Sequence, residues 1–363
     1  MLSPLDDYPY HQIAEPLNVV GTSDRNFYDR YYFNLFHPER NLFVTAGLGQ
    51  YPNLGVTDAY MAATTPDRQR VVRASRELGD DRSDTSVGPI SVKIIEGLRR
   101  LELHVAPHGG SLELDVTWRP SIPAFLEARH VNRRGARITT DTSRFAQTGF
   151  WSGTMRIGDE RFELRDGEWL GGRDRSWGIR PVGEPEPVVR RSGEGPAGFL
   201  WIYATMQFEQ STIVCILQED RVGRRSLEQA VRVFGDPERP PEDLGRVEHE
   251  FHFVDGTRRI DRARLRFVNY DSPPLEVDVT PFGASYLSLG TGYGHEDDWR
   301  HGMYQGPSKV EHHEYDLTAS DAARRTHGLV DNVAVYETGG EVGYGLFENA
   351  VLGVNERYGL GLR

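Results

Sequence analysis

The sequence predicts an all-β fold of two tandem antiparallel β-barrels, and three observations predict it. Apolar and polar residues alternate where the pattern is clearest, through Leu101, Leu103 and Val105 and again through Leu112, Leu114, Val116 and Trp118. Period two is the mark of a half-buried strand. The 39 glycines and 21 prolines among 363 residues cut the chain into short segments. These segments fall into two groups of about eight on either side of a Pro/Gly-rich stretch, and about eight strands close a barrel just wide enough for one small ligand. Closure also removes the exposed edges that so many strands would otherwise present.

Taken in order, 23–36 carries six aromatics in fourteen residues, interleaved with acids and arginines, which suits a strand that lays rings on a core. The runs 41–49 and 55–63 follow as strands separated by the turn signal Pro52-Asn53. Gly109-Gly110 joins the two alternating runs 98–105 and 111–118 as a hairpin. A further hairpin at Gly158-Asp159 joins 150–157 to 161–164 and leads into the most unusual stretch of the chain, 171–181, expected as a tight turn that holds charges beside an indole. Beyond it, 199–206, 211–218, 247–254, 258–268, 275–279, 309–317, 332–336 and 341–348 read as strands, with 320–326 and 226–233 locally helical. The expected division is a first barrel over 1–184 ending in Arg173-Asp174-Arg175-Ser176-Trp177-Gly178, a linker over 185–198 and a second barrel over 199–363.

Composition excludes several classes of function. A net charge of -12 argues against sequence-independent nucleic-acid binding, which needs a basic stripe, and the arginine pairs present are scattered. Cys215 is the sole cysteine and sits in an apolar run, so a disulfide framework is excluded and a reducing, cytoplasmic setting is the natural expectation. Residues 1–10 lack the apolar core of a signal peptide, and nothing approaches the roughly 18 continuous apolar residues of a membrane span. No dinucleotide fingerprint, phosphate loop, nucleophile elbow or Cys-x-x-Cys occurs. A homodimer remains open.

The run Arg144-Phe145-Ala146-Gln147-Thr148-Gly149-Phe150-Trp151-Ser152-Gly153-Thr154, the hairpin at Gly158-Asp159 and the stretch Arg173-Asp174-Arg175-Ser176-Trp177-Gly178-Ile179-Arg180-Pro181 resemble the lipocalin-like family that includes carotenoid 1,2-hydratase (hydroxyneurosporene synthase). Gly292-Tyr293-Gly294-His295, Trp299-Arg300-His301-Gly302 and Gly343-Tyr344-Gly345-Leu346-Phe347-Glu348 are similar to recurring features of the same group. The likeness runs from about Ser23 to Gly359 and implies a pair of lipocalin-like barrels. Members of the group include hydratases of long isoprenoids, cyclisation catalysts and lipid binders, so the fold transfers and the reaction does not. The hydratases' Tyr-x-Asp-His-Asn pattern and its following glycine place their aspartate on Asp174 and their glycine on Gly178. Gly172 stands where the tyrosine would be, and Arg175-Ser176 replace the histidine and asparagine.

Asp174 is thus the candidate catalytic acid, with Trp177 beside it. A carboxyl group desolvated at a barrel mouth stays protonated and can donate to an alkene, the resulting cation resting on the faces of Trp177, Trp201 or Tyr203. Neighbouring Arg175 would oppose this by holding the acid ionised. In the alternative reading, Asp174 pairs with Arg173, Arg175 or Arg180 to clamp one barrel to the other. Arg173, Arg175, Trp201, Tyr203, Trp299, His301 and Glu348 are the ligand-binding candidates, Glu348 as a second carboxylate facing a barrel interior. His295, His301, His312 and His313 invite a metal reading, but adjacent strand residues point to opposite faces and no zinc-type spacing occurs, so no metal and no organic cofactor is expected. The expected ligand is a long apolar small molecule, an isoprenoid, steroid or polyketide. Hydration of a double bond is the most concrete chemistry, with a non-catalytic carrier and a cyclisation catalyst as alternatives.

Overall fold

The computed structural model describes residues 2–9, 13–185, 198–293 and 296–361. Four strands open the chain as a meander: β1 (Phe27–Phe36), β2 (Phe43–Tyr51), β3 (Val56–Thr64) and β4 (Arg68–Glu77). Next come β5 (Ser86–Val87), β6 (Ile90–Glu96), β7 (Arg100–Val105), β8 (Leu112–Pro120), β9 (Phe125–Leu126) and β10 (His130–Arg134). Two long strands, β11 (Arg137–Ile157) and β12 (Glu160–Ile179), complete this half. The second half contains β13 (Gly198–Gln207), β14 (Ser211–Asp220), β15 (Arg225–Phe234), β16 (Glu242–Asp243), β17 (Arg246–Phe253), β18 (Ile260–Val268) and β19 (Leu275–Tyr286). It ends with β20 (Ser308–Asp316), the single helical turn α1 (Ala322–Arg325), β21 (Val330–Thr338) and β22 (Glu341–Gly353).

These strands form two antiparallel sheets, ordered β20-β4-β3-β2-β1-β12-β11-β8-β7-β6-β5 and β16-β15-β14-β13-β22-β21-β19-β18-β17. Each curls around its own apolar core, giving two tandem lipocalin-like barrels. The alternation legible in the sequence fills the first core, where Leu101, Leu103, Val105, Leu112, Leu114, Val116 and Trp118 are all buried. Leu200, Ile202, Ala204 and Met206 on β13 do the same for the second.

Three expectations are corrected, those for 226–233, for 309–317 and for 171–181. Residues 226–233 are not helical: they lie in β15, which pairs along its length with β14, so the backbone ladder overrides local helix propensity. The strand expected in the second barrel at 309–317 is β20, and it pairs with β4 in the first sheet. The linker expected at 185–198 falls mostly on 186–197, outside the described residues. The stretch 171–181 is not a tight turn either. It is the end of β12, held between β1 and β11 in the middle of the sheet. Its glycines answer to close packing rather than turning: a Cβ on Gly171 would lie 2.1 Å from the Asn34 carbonyl oxygen, and one on Gly178 (φ 129°) 2.1 Å from that of Asp141.

Because β12 is extended through this stretch, its side chains alternate between the core of the first barrel and the face turned to the second. Arg173 and Arg175 point inward. Arg173 Nη1 and Nη2 donate to the two carboxylate oxygens of Asp7 at 2.6 and 3.0 Å, and Arg175 pairs with Asp29 while lying 4.3 Å from the Tyr31 ring centre. Asp7 ends the short 3-10 turn Pro4–Asp7, so the N-terminal segment is fastened across the inward side of β12. The partners Arg173 and Asp7 are 1% and 0% exposed.

On the other face the barrels meet through Tyr32, Phe36, Phe43, Tyr203, Val214, Ile216, Val333 and Leu346. Polar contacts fix the register of that meeting. Tyr32 Oη donates to Asp331, and Gln69 holds β19 by accepting from the Tyr286 amide and donating to its carbonyl, both at 2.9 Å. No described helix is long and apolar enough to cross a membrane.

Removing one partner of a buried bidentate pair strands the other charge, at a cost of about 3–5 kcal/mol. Asp7→Ala is therefore expected to lower the urea midpoint sharply, and the double variant Asp7→Ala/Arg173→Met to recover most of the loss. Equal stability of wild type and Asp7→Ala would show that the pair does not hold the N-terminal segment.

Candidate functional site

Asp174 sits on the face of β12 turned to the second barrel, opposite Tyr32 on β1 and Ala146 on β11. Small Ala146 leaves room beside the carboxylate. Facing it from the second sheet are Trp201 and Tyr203 on β13 and Glu348 on β22, the last paired directly with Tyr203 on one side and Asp331 on the other. Asp174, Arg144, Trp201 and Glu348 keep some accessible surface, whereas Tyr32, Glu127, Tyr203 and Asp331 are buried. A set of acids is therefore walled by protein and still reachable.

Among the described residues Asp174 makes no hydrogen bond and no ion pair. Burial pushes its carboxyl up to about 7, with Arg144 and Arg180 opposing the rise and Glu127 and Glu348 adding to it. Arg175, the arginine expected to hold it ionised, points away on the opposite face. Arg144 does not neutralise Asp174 because Glu127 engages it first, accepting from its Nε at 2.7 Å. Glu127 also accepts from Tyr203 Oη at 2.8 Å, and the Arg144 guanidinium lies 4.1 Å from the Tyr203 ring centre.

Across from Asp174, Asp331 and Glu348 form a carboxyl pair. Burial and the neighbouring Glu348 raise Asp331 well above the ordinary carboxylate range, and burial raises Glu348. Burial and the closeness of two carboxyls both disfavour the doubly charged pair and favour a proton shared between them. Donated bonds partly oppose the rise: Asp331 accepts from Tyr32 and Glu348 accepts from Trp201 Nε1, while Asp331 Oδ1 has no hydrogen-bond partner among the described residues.

The structure thus brings together Asp174, Trp201, Tyr203 and Glu348 of the residues singled out in the sequence. Trp177 lies on the other face of β12, opposite Asp29 and Ser143, on the side of Arg173 and Arg175. Trp299 is buried in a separate cluster, 4.5 Å from the guanidinium carbon of Arg73, which in turn pairs with Glu296 and Glu311. His301 sits beyond the end of β12. Its Nε2 donates to the Thr291 carbonyl at 2.9 Å and its Nδ1 accepts from Arg180 Nη2 at 3.3 Å. Burial, with Arg30 and Arg180 nearby, holds its pKa well below the usual value, so the ring is neutral. His312 and His313 lie on β20, the first stacked on His108 and the second beside Glu311. His295 falls outside the described residues.

Sequence reasoning missed Tyr32, Glu127 and Asp331. Asp331 carries little signal, since polar Asn332 follows it and its distinguishing feature is the cross-strand neighbour Glu348.

The fold is similar along nearly its whole length to the crystal structure of a candidate AttH from Nitrosomonas europaea, at 15% identity and a TM-score of 0.53, covering 96% of this chain and 99% of that one. Fainter likenesses link it to kievitone hydratase from Nectria haematococca (10% identity, TM-score 0.46, 95% and 97% covered) and to CghA with Sch210972 (11%, 0.48, 90% and 89%). At these identities the likeness is one of fold. No curated protein matches the sequence. The model of a family of unknown function, DUF8625, matches residues 2–361, and the chain belongs to that family.

Proposed function

We propose that the site between the two barrels binds a long apolar small molecule and that Asp174 serves it as a general acid, hydration of a carbon-carbon double bond being the reaction. The observation that carries this reading is the carboxyl of Asp174: desolvated, unpaired, reachable and pushed up to about 7, so that a large fraction is protonated at neutral pH. The similarity of 171–181 to the carotenoid hydratases points the same way, since Asp174 falls on their aspartate.

The chemistry balances without an added reagent. The O–H bond of Asp174 breaks as a new C–H bond forms at one alkene carbon, leaving a cation at the other. Trp201 and the Asp174 carboxylate just formed stabilise that cation. Water adds its oxygen to the cation and gives up a proton to Glu348 or back to Asp174. The Asp331–Glu348 pair already shares a proton and can pass one on, which returns the site to its starting state.

The test is incubation with a panel of isoprenoid alkenes in heavy-oxygen water. A product that carries the label in wild type and is lost in Asp174→Asn, with ligand affinity near wild type and no loss of stability, is the expected result. A ligand that binds and returns unchanged would make the protein a carrier. A ring-closed product without label would make it a cyclase.

Two pH effects follow with definite signs. Turnover that needs the protonated acid is expected to fall as pH rises through about 7, measured as kcat between pH 5 and 9. Stability should fall too. An unfolded aspartate titrates near 4, so between about 4 and about 7 the folded state binds the extra proton and loses stability as pH rises. Asp174→Asn removes that slope, and its urea midpoint should gain on wild type between pH 5 and pH 8. Parallel midpoints for the two proteins would place the Asp174 pKa at its ordinary value.

A further inference from the structure

Past the end of β12, the same face that carries Asp174 and Ser176 leads to Arg180. Tyr28 stands opposite Gly178 on that face, and the Arg180 guanidinium carbon lies 4.5 Å from its ring centre. The backbone here is fixed, with the Arg180 amide donating to the Asn26 carbonyl at 3.2 Å and the Gly183 amide to the His301 carbonyl at 2.6 Å. Arg180 therefore extends from a rigid support.

Among the described residues Arg180 has no carboxylate partner. Its Nη2 is spent on neutral His301, and its Nε is buried with no partner. A second guanidinium also lies close to Tyr293, whose ring centre is 5.7 Å from the guanidinium carbon of Arg180 and 5.6 Å from that of Arg30. Arg30 is 2% exposed and is neutralised by Asp58 at 3.0 Å, yet its Nε and Nη2 are also buried without partners. Buried polar groups in folded proteins are almost always bonded. Here three orphaned N–H groups gather around one tyrosine ring, and every one is a donor.

Arg144 is taken by Glu127 and Arg30 by Asp58, whereas Arg180 has no carboxylate in contact among the described residues and acts on Asp174 only at longer range. Between it and Asp174 runs roughly 20 Å of extended backbone at about 3.3 Å per residue, floored by Ser176 and Gly178.

We infer that the donors around Tyr293 form the head-group end of the site and take an anionic oxygen head, carboxylate or phosphate, on the apolar ligand, Arg180 supplying the charge. The inference rests on the reading of the inter-barrel site as a small-molecule site. It assigns the ligand a polar end as well as an apolar one: the head anchors at Arg180, and the chain runs back along β12 toward Asp174.

The test is calorimetric titration of the protein with four probes of one chain length: farnesoic acid, its methyl ester, farnesol and farnesyl diphosphate. An anionic probe is expected to bind about ten-fold or more tightly than the two neutral ones, since charged hydrogen bonds are the stronger kind. Whichever anion binds more tightly identifies the head. Arg180→Gln should bring the anion down to the affinity of the neutral probes and leave those unchanged. Arg180→Lys keeps the charge without the planar fork and should retain a reduced preference, which preserves the test if Arg180→Gln fails to fold. Equal binding of all four probes, or an anion preference untouched at Arg180, overturns the assignment and leaves the apolar-ligand reading standing. Failure of every probe to bind overturns both.

Discussion

One constraint governs the rest of the molecule: β12 is a central strand, bonded to β1 on one edge and β11 on the other, and it must be extended where its charges are densest. Extension sends consecutive residues to opposite faces. Arg173 and Arg175 go to the first barrel, where Asp7 and Asp29 neutralise them, and Asp174 goes alone to the second. Had the stretch been a turn, the three charges would have shared one space and an arginine would have neutralised Asp174. Separation by the strand leaves an acid with no partner beside a region of buried aromatic and carboxyl groups.

That separation sets the electrostatics of the site. The nearest arginine on the same face, Arg144, is claimed by Glu127 and by the ring of Tyr203, so its pull on Asp174 is partial. Desolvation then wins, and the carboxyl rises. The facing pair, Asp331 and Glu348, is raised in the same way, by burial first, with the charge of Glu348 adding to the rise of Asp331. Tyr32 couples the two arrangements. It lies directly opposite Asp174 in the first sheet and donates its hydroxyl to Asp331 in the second, so the docking of the barrels and the state of the acids depend on the same contact.

Much of the fold was legible because half-buried strands announce themselves by alternation, as Leu112, Leu114, Val116 and Trp118 do. Glycines misled where they mark close approach: Gly171 and Gly178 read as turn residues, yet each makes space for a carbonyl of the neighbouring strand. Local propensity misled at 226–233, where pairing with β14 decides the outcome. Of the site, Asp174 was legible from its motif and Glu348 from its apolar strand. Asp331 was not, because what distinguishes it is a cross-strand neighbour, and register is a property of the sheet rather than of either segment. The same limit explains Arg175, whose closeness to Asp174 in sequence becomes distance in space.

Charge is distributed along this face in a way that burial alone does not explain. A site evolved only to hide hydrocarbon would lose stability by placing Asp174, Glu348 and Asp331 at the barrel junction and orphaned guanidinium groups beyond it, since each costs desolvation that apolar residues would avoid. The charges are moreover sorted by kind: acids gather around Asp174 and unpartnered donors around Tyr293. Sorting of this kind orients a ligand. A head held by donors fixes which part of an apolar chain reaches Asp174, and fixed placement beside an acid is worth more to a reaction than affinity for the chain as a whole.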